Sequence, residues 1–296
     1  MKFTRSLSAK VGLAAAILLL CGTASFAQDS QSQEKPTLNK DKPQQQQAPQ
    51  NTGTPLTLDA ATPPPASSEE DTALKTLQAM PEASPENMQV KLTAAEDFLK
   101  KYPQSRYRVM IYPFLTIGYT QVGQPEKALA FGDKQLELYP NDVATMAVMS
   151  QTLSRVYNPS MPDAAKRLDK AEALGKRAVE VVPTIPKPEG VTEEAFNNSK
   201  NQTLAMAHSG IGVTDWRRGK YADAIPELEQ SVRLDPISDP VNWFILGIVN
   251  QNTSHFDDAA SAFTKCASIP GQLTDTCKGK AEAAKKLAAT KLSTPK

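Results

Sequence analysis

The stretch Asp239–Pro270, DPVNWFILGIVNQNTSHFDDAASAFTKCASIP, spaces Trp243, Leu246, Gly247, Ala259, Phe263 and Cys266 as a helix, a short polar turn and a second helix. Small residues alternate with large apolar ones. Gly247 and Ala259 suit a close approach of two antiparallel helices, and Trp243, Leu246 and Phe263 suit the filling of the grooves beside them. Either this is the core of a solitary active site or it is a unit that recurs, and the rest of the chain decides between the two.

It recurs. GKYADAIPELEQSVRLDP, ending at Pro236, aligns with GQPEKALAFGDKQLELYP, ending at Pro140. Each has a glycine opening the turn (Gly219, Gly123), an alanine five residues on (Ala224, Ala128) and a closing proline. The recurring set resembles the tetratricopeptide repeat, W-x2-L-G-x2-Y, then A-x3-F, then P, over about 34 residues. The opening stretch supplies Trp243, Leu246, Gly247, Ala259, Phe263 and Pro270; Asn250 replaces the tyrosine, and the proline falls one residue early. Around 109–142, Tyr112, Leu115, Tyr119, Ala128, Leu136 and Pro140 match, with Thr116 where glycine is usual and Gly132 where a large residue is usual. Around 192–238, His208, Ile211 and Gly212 take the Trp, Leu and Gly places, Asp215 replaces the tyrosine, and Trp216 is the neighbour expected to fill its space. An interrupted unit at 143–183 uses Met146, Met149 and Leu153, then Ala171 and Ala178, with VYNPSMPDA inserted between its helices.

The resemblance implies an all-α, helix-turn-helix solenoid wound into a right-handed superhelix, with repeats at about 109–142, 143–183, 192–238 and 240–272. A degenerate pair at 69–108 would precede them, with a capping helix at 273–291 and a flexible tail at 292–296. Two serines read as helix caps, the one opening SEEDTALKTLQAM (Ser68) and Ser84 before Pro85. The resemblance further implies a concave groove, lined by first helices, that takes a partner peptide or helix. Its lining by register is Ile117 and Gln121, Gln151 and Arg155, Val213, Trp216 and Arg217, and Phe244, Ile248, Gln251 and Asn252. Some relatives hold a peptide's terminal carboxylate with a basic set; here Pro113 and Ile117 stand in those places, so that clamp is not expected.

The first 27 residues read as a cleaved secretory leader: Lys2, Arg5 and Lys10, the apolar run Val11–Cys21, then Ser25 and Ala27 before the cut. The run falls short of the roughly 20 residues that span a bilayer. Cys21 is the alternative lipid acceptor, although Leu20 before it is larger than such signals want. Residues 28–68, rich in Gln, Pro, Ser and Thr, read as a disordered tether. Losing the leader leaves 30 basic and 32 acidic side chains, a balance that suggests neither nucleic acid nor an anionic membrane as partner. It also leaves Cys266 and Cys277, which in an oxidising compartment predict a disulfide stapling the capping helix; two buried free thiols are the alternative.

Chemistry-bearing motifs are missing from the sequence. His208 reads as a packed core residue and His255 as an exposed turn residue. The pairs Glu193–Glu194 and Asp257–Asp258 sit where helices start, which the helix dipole explains. There is no metal-binding Cys/His spacing, no nucleophile elbow and no phosphate loop after a strand. Neither catalytic residues nor a cofactor is therefore expected. The sequence reads as a non-enzymatic protein-interaction scaffold, exported to the periplasm or envelope of a bacterium and binding another protein. The alternatives are a membrane-anchored envelope lipoprotein or assembly factor, or a non-catalytic subunit of an enzyme complex.

Overall fold

A computed structural model describes residues 67–235 and 239–293. The leader, the Cys21 acceptor, residues 28–66 of the tether and residues 294–296 of the tail lie outside that range; residue 68, read as tether, and residues 292–293, read as tail, are helical. The described residues form eleven α-helices, with no strand among them. They are α1 (Ser68–Gln78), α2 (Pro85–Lys101), α3 (Arg108–Gln121), α4 (Pro125–Leu138), α5 (Val143–Arg155), α6 (Ala164–Val181), α7 (Glu193–Arg217), α8 (Tyr221–Leu234), α9 (Pro240–Asn252), α10 (Phe256–Ser268) and α11 (Thr274–Ser293). The fold is all-α and of tetratricopeptide type. α3 packs on α4, α5 on α6, α7 on α8 and α9 on α10, and each pair leans on the next.

Local chemistry sets the starts. The Ser84 hydroxyl accepts from the Asn87 N–H at 3.2 Å, and Pro85 follows at the first helical position, where its missing N–H costs nothing. In α1 the cap is Ser67, which accepts from the Glu70 N–H; Ser68, read from the sequence as the cap, is already helical. Asp142, Thr192 and Asp239 cap α5, α7 and α9 in the same way.

In three of the four pairs the chain reverses through a left-handed residue. Gly123 (φ 72°) and Gly219 (φ 75°) occupy that place after α3 and α7, and Ser254 (φ 62°) occupies it after α9. In each turn the next N–H reaches back to the helix: Gln124 to the Tyr119 carbonyl, Lys220 to that of Asp215 and His255 to that of Asn250, all at 2.8–2.9 Å. The shared element of the three turns is thus a backbone bond. That is why the repeat tyrosine can be replaced by Asp215 or Asn250 without loss of the turn.

The contact inside each pair is equally regular, although the sequence disguises it. A Cβ on Gly247 would lie 2.5 Å from the Phe263 ring, and one on Gly212 would lie 2.8 Å from Leu228, so in these pairs the first helix carries the glycine. In the α5–α6 pair the glycine moves to the second helix. Gly175 faces the Ser150 hydroxyl and Ile211, and the room at Gly132 is taken by the Met149 side chain of the following helix. Gly132 thus makes room between successive pairs, as Gly118 of α3 does for Leu92 of α2. A fixed interhelical volume is being filled from the opposite side.

Two irregular segments interrupt the stack. VYNPSMPDA becomes the connection between α5 and α6. The 25 residues of α7 extend its N-terminal end, where Phe196 and Leu204 pack with Val143, Val181, Val182 and Ile185.

Candidate functional site

The first helices of the pairs, α3, α5, α7 and α9, carry the residues that the register assigns to the groove. Their surroundings divide them into three groups. On α3, Ile117 is 40% exposed and Met110, seven residues earlier, is 41% exposed. Phe114 between them is half-buried, with the Lys91 ammonium 5.6 Å from its ring centre. Met110, Phe114 and Ile117 therefore form one apolar stripe at helical spacing. Register reasoning found Ile117 alone; the i, i+4, i+7 pattern from Met110 was the signal for the rest. Gln121, one turn on, is half-buried.

The middle of the row is closed. α5 and α7 approach so tightly that a Cβ on Gly210 would fall 2.0 Å from the Ser150 hydroxyl and 2.8 Å from its carbonyl carbon. Val213 has no exposed surface and packs with Leu228, Ile245, Leu246 and Val249. It belongs to the core, and its assignment to the groove lining is corrected. Arg155 likewise does not face a ligand. Its Nη2 pairs with Asp239 and donates to Asn242 Oδ1 at 2.8 Å and Ser209 Oγ at 3.2 Å. Ser209 Oγ also donates to Asn242 Oδ1 at 2.7 Å. The Asn242 amide donates to Ser231 Oγ at 3.0 Å, and that hydroxyl donates to the Ala205 carbonyl at 2.8 Å. A buried polar chain thus ties α5, α7, α8 and α9 together, with the arginine charge neutralised by Asp239. Gln151, on the same helix, is half-buried.

Arg217 differs from Arg155. Its guanidinium lies 4.4 Å from the Trp216 ring centre and 5.8 Å from that of Tyr157, at the start of the α5–α6 connection. One long bond, Nη2 to the Arg155 carbonyl at 3.3 Å, holds it, and its buried Nε has no acceptor. Burial lowers its pKa from the ordinary value, against a smaller opposing effect of Tyr157.

On α9 the candidates are largely packed. Phe244 meets Phe263 with ring centres 5.9 Å apart, and both rings lie near the Lys280 ammonium of α11. Ile248 packs on the same cluster of Ala259, Ala260, Phe263, Ala281 and Ala284. Gln251 is half-buried, and exposed Asn252 donates to the Ile248 carbonyl at 2.8 Å.

Cys266 and Cys277 are bonded, with Cα atoms 5.9 Å apart, and neither is exposed. The bond joins α10 to α11. His208, read as a packed core residue, is part-buried, and its Nδ1 meets Glu227 Oε2 at 2.7 Å; exposed His255 contacts the Thr253 hydroxyl at 3.0 Å. Glu193–Glu194 and Asp257–Asp258 stand exposed in the first turns of α7 and α10. Among the described residues no three His, Cys, Asp or Glu side chains converge as a metal-ligand set, and no helix is long and apolar enough to cross a membrane.

No protein-family model and no curated protein matches the chain. Solved structures do. A thermophilic TPR protein of Thermus thermophilus, TTC0263, is 18% identical and covers 73% of this chain and 98% of its own, at a TM-score of 0.49. PilW, described as a type IV pilus biogenesis factor, is 16% identical over 76% of this chain and 93% of its own, at a TM-score of 0.49. MamA of Desulfovibrio magneticus RS-1 is 17% identical over 69% and 96%, at a TM-score of 0.45. At such distances the architecture of this chain rests on its own helix pairs and the residues that hold them.

Proposed function

We propose that this protein is a non-enzymatic interaction scaffold of the bacterial cell envelope that takes an apolar segment of a partner protein along its row of first helices. The observation that carries this reading is the α3 stripe. Met110 and Ile117 are each about two-fifths exposed, on the face the repeat register assigns to ligands. Large apolar side chains standing in water at helical spacing are the usual anchor points for a partner helix or extended peptide. Export is supported by the leader-like first 27 residues and by the bonding of Cys266 to Cys277, a linkage that persists in oxidising compartments. The near-neutral charge after leader removal favours a protein partner over nucleic acid.

The test places a photo-crosslinking amino acid at Ile117 in one variant and at exposed Glu229, on a second helix, in another. Each is expressed with its own leader. Crosslinking from position 117 to one discrete envelope protein, and not from 229, is the expected result. With that partner purified, Met110→Ser combined with Ile117→Asp is expected to weaken binding at least tenfold without lowering Tm. Crosslinks from 229 alone would move the interaction to the other face of the helix pairs.

A further inference from the structure

The α3 stripe explains how a partner is anchored but not how it is selected, and one charged group in the row is left without a counter-charge. Arg155 is neutralised by Asp239, and Arg218 by Asp169 and Glu172. Arg217 pairs with no carboxylate of the described residues, and the groups acting on its charge are burial and the neighbouring Tyr157 phenol. A guanidinium carries five N–H donors in a planar fork, and this one uses a single long bond to a carbonyl. Its buried Nε donor is unsatisfied. That atom is closed to solvent, as is the equally unsatisfied Nε of Arg155, so a ligand would be met by the terminal nitrogens of the fork. The Trp216 ring, 4.4 Å from the guanidinium, restricts that side chain, so less of its freedom is lost when a ligand arrives.

Resting on the scaffold reading above, we propose that Arg217 is the specificity point of the row. It receives the side-chain carboxylate of an aspartate or glutamate in the partner segment, with Trp216 beneath the guanidinium and Tyr157 at its edge. The single uncompensated charge decides the chemistry. One carboxylate balances it, whereas a phosphoryl group brings nearly two negative charges to a place with one cation to meet them. The inserted α5–α6 connection gains a role here, because it is what brings Tyr157 beside Arg217.

The test is selection from an immobilised library of random dodecapeptides with amidated C-termini, presented to the purified chain lacking its leader. Peptides enriched by the native protein are expected to share an acidic residue at a fixed offset from an apolar anchor. Replacing that acid by its amide is expected to weaken binding about tenfold, and Arg217→Gln to weaken the acidic peptide by the same factor while leaving the amide version unchanged. Arg217→Lys, which keeps the charge but loses the fork, should fall between, and Arg217→Glu should shift the selected residue to lysine or arginine. An acidic preference that survives Arg217→Gln, or selected peptides without any acidic preference, would overturn the assignment and leave the scaffold reading standing. A phosphoserine version that binds tighter than the glutamate peptide would overturn the carboxylate choice. If a folded native protein selects no peptide and Met110→Ser/Ile117→Asp changes nothing, both readings fall together.

Discussion

Ser254 is the residue whose conformation runs against its chemistry. It holds φ 62° at the turn where Gly123 and Gly219 hold 72° and 75°, and a side chain there crowds the following carbonyl by roughly 1–2 kcal/mol. Glycine relieves that crowding but adds entropy to the unfolded chain, so Ser254→Gly is expected to stabilise by about 0.5–1 kcal/mol, read as a rise in Tm. Gly219→Ala should lose a comparable amount. Asp215 is a second misfit, a carboxylate only 8% exposed at a tyrosine place. Burial, with repulsion from Glu172, raises its pKa above the ordinary value. A raised acid keeps its proton longer in the folded chain than in the unfolded one. Its stability contribution is therefore most favourable below the ordinary aspartate pKa and is lost as pH rises through the folded value. Asp215→Asn should stabilise the chain at pH 7 and flatten the dependence of the urea midpoint on pH above the ordinary aspartate pKa. The repeat motif exposed Asp215 as a departure, whereas Ser254 lies outside its signature positions and shows only in the backbone. That Asp215 keeps its turn through a backbone carbonyl could not be seen in side-chain letters.

At the scale of elements, the approach of α5 to α7 and the fastening of α11 carry the sharpest consequences. The shortest contacts of a Cβ at Gly210 include the backbone of Ser150, which cannot rotate away as the Phe263 ring can from Gly247. Gly210→Ala is expected to cost about 3 kcal/mol, more than Gly247→Ala, in paired urea titrations. The buried face of α11 is made of Cys277, Ala281, Ala284 and Ala288, side chains that bury about one methyl group each. At about 0.8 kcal/mol per methyl group such a face holds a helix weakly. A crosslink closing this short loop is worth roughly 3 kcal/mol by the chain-entropy account. Reduction should therefore speed amide exchange in α11 by about two decades while leaving α5 and α7 protected. Alkylation of the unreduced, unfolded protein should find neither Cys266 nor Cys277 free. The staple was legible because two cysteines in an export context leave few choices. The placement of glycine on alternate sides of the helix pairs was not, since it depends on which neighbour fills the volume.

Across the whole stack, Arg155 joins pairs that are not adjacent in sequence, reaching from α5 to Asp239 and Asn242 at the start of α9. Arg155→Ala removes the cation and leaves Asp239, whose side chain is 21% exposed, without its partner. A loss of about 2–3 kcal/mol is expected, part of it recovered in an Arg155→Ala/Asp239→Ala double variant, with a measurable coupling energy in the cycle. Arg155 and Arg217 occupy equivalent places in successive units and look interchangeable in the sequence. One is neutralised by a carboxylate 84 residues away, and the other pairs with no carboxylate among the described residues. The sequence by itself determined the paired helices, the Ser84 cap, the glycine turns and the candidate staple, because these depend on spacing within about one repeat. Only the tertiary structure decided that Val213 is core, that Arg155 is a tie between pairs, that Phe244 and Ile248 are largely packed and that Met110, Phe114 and Ile117 stand together. Burial and charge compensation are set by residues distant along the chain, and one-dimensional periodicity carries no record of which of them meet.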